Sequence, residues 1–268
     1  MSYKYIKLER NEHYGAIATL TLNRPQALNA MTPDMGEEVL RAVEEIRADG
    51  NVRSVVLTGA GKAFCSGGDL AMLAGEATGE DSTGPTMGTI PREFYDGFLS
   101  IRKLKVPTIA AINGPAIGAG LCLALACDLR IAAAGATLGM TFVRVGIHPG
   151  MGATFWLPHV VGAAKAWELL FTGRIIDAQE GHRIGLLNRV VARDKLLAEV
   201  EFMASEIASA APVAVRLLKE TLYRSIDPDL DQVLDQESRQ QAATFETLDA
   251  REGIRALQER REPRFHGH

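Results

Sequence analysis

Two short glycine-rich turns hold the residues whose types and spacing best suit chemistry. The first is Cys65-Ser66-Gly67-Gly68-Asp69 and the second runs Asn113-Gly114-Pro115-Ala116-Ile117-Gly118-Ala119-Gly120. An apolar run, Val106 to Ile112, feeds the second turn, which opens onto a small-residue helix expected over Leu121–Cys127. A turn of this kind leaves backbone N–H groups unpaired at a helix N-terminus, and a negatively charged oxygen is what such a site holds best. Two such turns could hold one oxygen between them, as an oxyanion hole built from backbone donors. Each donor of such a hole contributes on the order of 3 kcal/mol of transition-state stabilisation, and none needs a particular side chain.

Other chemistries fit these turns poorly. Gly118-Ala119-Gly120-Leu121-Cys122-Leu123 starts like a dinucleotide fingerprint but lacks its third glycine. No GxxxxGK[ST] phosphate loop occurs, and Phe64-Cys65-Ser66-Gly67-Gly68 is not a GxSxG nucleophile elbow. The three cysteines, Cys65, Cys122 and Cys127, lack CxxC spacing and read as reduced, buried thiols. The six histidines show no HExxH spacing, so no metal site is expected. Asp69 reads as a helix N-cap, and Asp128, closing the helix after the second turn, as structural.

The elements that must position the turns follow from patterning. Tyr3–Arg10 and Ala16–Asn23 alternate as strands, and Val52–Leu57, Leu104–Asn113 and Leu129–Ala133 read as buried ones. Thr32-Pro33 starts a helix with an N-cap hydroxyl and a proline at its first position. Strands separated by helices imply an α/β core. Between Gly75 and Pro91, eleven of seventeen residues are Gly, Ser, Thr or Pro, which reads as a loop able to cover a ligand. After about residue 160 the pattern turns helical, over Ala163–Thr172, Asp177–Gly185, Asp194–Ala211, Pro212–Ser225, Asp227–Thr247 and Asp249–Glu262, with one short strand at Leu187–Val191.

Bulk properties bound the partners. The 268 residues carry a formal net charge of −4, with 47% hydrophobic and 23% charged residues. That balance suits a globular protein and argues against nucleic acid as the main partner. No apolar run approaches the ~20 residues of a membrane span, and the first residues lack a signal-peptide core. A cytoplasmic protein without membrane contact is expected.

The chain resembles the enoyl-CoA hydratase/isomerase (crotonase) superfamily. The resemblance is carried by Leu22-Asn23-Arg24-Pro25, Ala27-Leu28-Asn29-Ala30-Met31, Gly61 through Leu70, Ala111 through Gly120 with Ala126-Cys127-Asp128, Phe171 through Ala178, Gly185 through Val191, and Arg260 through Phe265. These occur in the family's order along nearly the whole chain. The resemblance implies a spiral of ββα units over residues 1–200 and an α-helical trimerisation region over 201–268. It implies a homotrimer or a dimer of trimers, no permanently bound cofactor, and coenzyme A as part of a thioester substrate. The two oxyanion donors carry over to the backbone N–H groups of Ser66 and Ala119. Arg24, Ala27, Lys62, Gly67, Gly68, Asp69, Gly114 and Arg260 fall where family members hold the coenzyme A portion.

One departure matters. Hydratases of this family use two glutamates, and their positions fall here on Cys122 and Phe142. Adding water to an enoyl double bond needs a base for the water and an acid for the α-carbon. A thiol between Leu121 and Leu123 has a raised pKa, and phenylalanine moves no proton. Two-glutamate hydration is therefore disfavoured, and an isomerase, or other lyase or hydrolase chemistry through a thioester enolate, is favoured. The loop Val143–Gly152 is where the replacement groups are expected: His148 as the acid/base, with an ordinary pKa of ~6.5, and Arg144 as a partner for negative charge. Glu93, Tyr95 and Asp96 could reach in from the helix after the loop, although a solvated helix face is the simpler reading. A non-catalytic acyl-CoA-binding or assembly protein is the alternative.

Overall fold

A computed structural model describes residues 2–11, 16–69, 71–73, 92–224 and 229–268. The expected loop 75–91 therefore lies outside the described residues. Strands β1 (Ile6–Arg10), β2 (Ile17–Leu22), β3 (Ser54–Gly59), β4 (Thr108–Ile112), β6 (Leu129–Ala133) and β9 (Arg189–Val191) form one six-stranded sheet in the order β1-β2-β3-β4-β6-β9. Only the β1–β2 pair is antiparallel; every later neighbour is parallel. A second sheet joins β5 (Ala116–Ile117), β7 (Thr137–Gly139) and β8 (Ile175–Asp177). Strands β4 and β6 each hand the chain to the second sheet, through β5 and β7 respectively, so the path winds between the two sheets. The result is a mixed α/β fold of the kind the sequence led us to expect.

Parallel strands with both faces covered read as continuous apolar runs, and all of β3 and β4 is buried. Helix α1 (Pro33–Ala48) covers one face. Thr32 caps it, its hydroxyl accepting from the Met35 amide at 3.4 Å, and it buries Met35, Val39, Val43 and Ile46. Helix α2 (Arg92–Leu99) packs on α1 through Phe98, and α3 (Ala119–Leu125) is buried at every residue.

The C-terminal helices behave in two ways. Helix α7 (Leu196–Ser209) buries Leu196, Val200, Ala204 and Ala208 against Ile17, Val56, Ile109 and Ile131 on the other sheet face. It belongs to the core, so the expected boundary at residue 200 falls inside it. Helices α8 (Pro212–Arg224), α9 (Leu230–Phe245) and α10 (Leu248–Glu259) leave Leu218, Leu222, Leu230, Leu234, Phe245 and Leu257 exposed.

Asp128 holds helix α8 to this core. Its carboxylate accepts from Lys219 Nζ at 2.7 Å, the Tyr223 hydroxyl at 2.7 Å and the Thr108 amide at 2.7 Å. Burial, together with this carboxylate, pushes the Tyr223 phenol up from its ordinary range. Asp128 is therefore structural, as its position suggests.

Candidate active site

The two turns meet. The isolated bridge Cys65↔Ala116, closed by the Ile117 amide donating to the Cys65 carbonyl at 3.0 Å, lays the first turn beside the second. A Cβ on Gly67 would stand 3.0 Å from the Ile117 carbonyl and 3.8 Å from the Ala119 nitrogen. Gly67 and Gly118 also take φ of +102° and +54°, a region that L side chains disfavour. Hence these positions are glycine.

The hydrogen bonds show which donors are free. The Ser66 amide donates to the Leu28 carbonyl at 3.1 Å, so it is not available as sequence reasoning had placed it. The reason is the bridge Met31↔Gly68, which aligns residues 28–31 with the first turn. Its other bonds are Met31 N–H to the Gly67 carbonyl and Asp69 N–H to the Met31 carbonyl. Among the described residues, the amides of Gly68 and Ala119 meet no acceptor. Both residues line one cavity of about 130 Å³. Ala119 is also the first residue of α3, where the helix dipole is positive.

The rest of that cavity is largely apolar. Met72, Phe94, Phe142, Val145, Ile147 and Met151 line it, with Ser66, Tyr95, Thr141 and His148 as its protic side chains. Phe142 does face the cavity. Cys122 does not: it is fully buried behind the wall, its Sγ 3.8 Å from Met140 Sδ and 3.6 Å from the Gly150 carbonyl. Burial pushes its thiol up from the ordinary value, and pushes Cys65 and Cys127 to about 12. All three remain neutral thiols at physiological pH, as the apolar flanks of Cys122 suggested.

His148 stands at the cavity mouth, exposed, with Nδ1 2.8 Å from the Pro149 carbonyl. A carbonyl only accepts, so Nδ1 carries the hydrogen in the neutral ring and Nε2 keeps a lone pair. Arg144 turns away, donating to the Thr172 carbonyl at 2.5 Å, and lies outside the cavity. Of the three residues on α2, Tyr95 lines the cavity, while Glu93 and Asp96 are exposed, Asp96 paired with Arg92 at 2.9 Å. The phenol was hidden in the sequence among charged neighbours that suggest a solvated face. The spacing of buried Phe94 and Phe98 was the available signal, because it turns Tyr95 toward the inner edge of the helix.

The residues assigned to the coenzyme A portion cluster only in part. Asn29 Nδ2 donates to the carbonyls of Ala60 and Ala63, both at 2.9 Å, and so ties the turn carrying Arg24 and Ala27 to the turn carrying Lys62. Gly114 packs its Cα against the Lys62 carbonyl. Lys62 is exposed and, among the described residues, unpaired. Arg24 is engaged: it donates to the Ala30 carbonyl at 2.6 Å and pairs with Asp69 at 3.1 Å. Burial raises the Asp69 pKa, but hydrogen bonds from Arg24 and the Ala71 amide outweigh it and hold the carboxyl below its usual range. The Ala71 bond is the helix-start role expected of Asp69. Arg260 caps α10 and joins no contact of this cluster. The tail after it docks at the start of β3, where Arg53 donates to the Phe265 carbonyl at 2.8 Å, whereas Lys62 follows the end of that strand.

The fold is thus mixed α/β, and its two glycine turns present amides without an acceptor to one largely apolar cavity. The chain belongs to the enoyl-CoA hydratase/isomerase family, which it matches over residues 12–268. It is 38% identical to a crotonyl-CoA hydratase of Syntrophomonas wolfei over 266 residues, covering 99% of each chain. It is 39% identical to a short-chain-enoyl-CoA hydratase of Clostridium acetobutylicum, covering 93% of this chain and 94% of that one. The crystal structure of an enoyl-CoA hydratase from Bacillus anthracis superimposes with a TM-score of 0.90 at 36% identity, covering 99% and 100% of the two chains.

Proposed function

We propose that this protein is an acyl-CoA enzyme that forms a thioester enolate and moves a proton, rather than adding water. The observation that carries this reading is the pairing of two amides that meet no acceptor with a cavity lining that, among the described residues, holds no carboxylate. The Gly68 and Ala119 amides would bind the thioester oxygen as charge develops on it. His148 Nε2 would take the α-proton; the C–H electron pair would pass into the Cα–C bond and the negative charge onto the held oxygen. Returning the proton to the γ-carbon of a 3-enoyl thioester would shift the double bond into conjugation. Isomerisation is thus the reaction the groups support best. Lys62 and the turn at Ala27 are proposed to hold the nucleotide end of coenzyme A.

The experiment is deuterium uptake at the α-carbon of saturated and 3-enoyl CoA thioesters in D₂O, followed by mass spectrometry. Uptake supports the reading. Tight binding of the thioesters with no uptake would overturn it in favour of the non-catalytic acyl-CoA-binding protein, for which the exposure of His148 is the supporting observation. We further propose assembly into a trimer or a dimer of trimers through the exposed apolar faces of α8–α10, a cytoplasmic location, and no cofactor beyond the substrate's coenzyme A. A monomeric mass in light scattering would remove the assembly proposal. Among the described residues, no helix is long and apolar enough to cross a membrane, and no His/Cys/Asp/Glu cluster has metal-site geometry.

A further inference from the structure

We infer that Tyr95 is the second proton-transfer residue of this site, giving its phenolic proton to the γ-carbon of a 3-enoyl thioester. The inference rests on the enolate reading above and extends it to the other half of the double-bond shift. Tyr95 lies on α2, outside the loop that carries His148, and lines the same cavity. Its ring is steadied edge-on by Phe94, with centroids 6.3 Å apart. Among the described residues its hydroxyl has no hydrogen-bond partner, so its proton is not committed elsewhere.

The position of the hydroxyl is defined by Gly150. A Cβ added there would stand 3.0 Å from Tyr95 Cζ and closer still to the hydroxyl oxygen. The Gly150 carbonyl in turn receives Cys122 Sγ at 3.6 Å. Gly150 thus stands between the phenol and the Cys122 thiol, and it follows His148 by two residues in the same loop. Of the other protic side chains in the cavity, Ser66 and Thr141 are alcohols, much weaker proton donors than a phenol.

The step balances. The α C–H pair first moves toward the thioester oxygen as His148 takes the proton. The enolate then collapses, its electrons forming the Cα–Cβ double bond while the former Cβ–Cγ π pair forms the new γ C–H bond with the Tyr95 proton. His148 ends protonated and Tyr95 ends as phenolate. Transfer from imidazolium to phenolate through water restores both.

The test compares Tyr95→Phe with the unsubstituted protein on a 3-enoyl CoA thioester in D₂O, reading α-deuterium uptake and double-bond shift in the same sample. We expect the shift to fall at least 100-fold more than the uptake, the scale of a lost general acid. Gly150→Ala, whose methyl displaces the hydroxyl while keeping the ring, should reproduce the split. Equal losses in both readouts, an unchanged shift, or no shift by the unsubstituted protein despite uptake would each overturn the role of Tyr95 and leave the enolate reading standing. Neither uptake nor shift in the unsubstituted protein would overturn both.

Discussion

The two walls of the cavity differ in what they are made of. One side is backbone: Gly68 and Ala119 present amides on turns fixed by the bridges Cys65↔Ala116 and Met31↔Gly68, and these are the proposed oxygen donors. The facing side is side chain: Phe142 in the cavity, Cys122 buried behind it, and Tyr95 and His148 as its titratable groups. A backbone site is specified by fold and by small residues, so it persists while neighbouring side chains change. The facing wall can be rewritten by single substitutions. In the proposed function the first side selects which kind of molecule is held, and the second decides what happens to it.

Five substitutions probe this contrast. His148→Ala should lower α-proton exchange most, by about 10²–10⁴-fold, the usual range for a lost general base; exchange rates by NMR would show it. Ala119→Pro removes one amide at a helix position that tolerates proline, and should lower exchange by about 10²–10³-fold with the helical circular dichroism unchanged. Cys122→Glu should not create a hydratase, since Phe142 remains. Placing a carboxylate at a fully buried position should instead destabilise the fold by about 3 kcal/mol in urea titrations. Ser66→Ala and Arg144→Ala should leave exchange within about twofold, because the Ser66 hydroxyl takes no part in the proposed steps and Arg144 is bonded to Thr172 outside the cavity.

A pH profile tests the neutral state of the buried thiols. Cys65 and Cys127 are held at about 12 by burial, above the ~8.5 of an unfolded cysteine. Their contribution to stability is complete below about pH 8.5 and is lost as the pH rises toward 12, because the unfolded chain ionises first. The urea midpoint should fall between pH 8 and pH 10, and fall less in Cys65→Ala.

Much of this was legible in the sequence. Thr32-Pro33 marked α1, continuous apolar runs marked β3 and β4, and two glycine turns marked the cavity, because each signal is local. The Leu104–Asn113 strand was drawn too long: Pro107 has no amide to donate, and the Asn113 side chain leaves the ladder to bond the Gly59 carbonyl at 2.8 Å. That the Ser66 amide is bonded while the Gly68 amide is not has no local signal, since the acceptor of the Ser66 amide lies thirty-eight residues earlier, at Leu28. Arg144 and Arg260 were read from position alone, and the packing of α5 (Ala163–Thr172) and of the C-terminal tail decides where they point. Such long-range choices leave no mark in local spacing.

The most direct measurement follows a 3-enoyl and a 2-enoyl CoA thioester side by side in D₂O with the purified protein. Deuterium entering the 3-enoyl thioester, with conversion to its conjugated isomer and no 3-hydroxyacyl product from either, is the result expected here. Rapid hydration of the 2-enoyl thioester would contradict it, showing that a wall without either glutamate can still activate water.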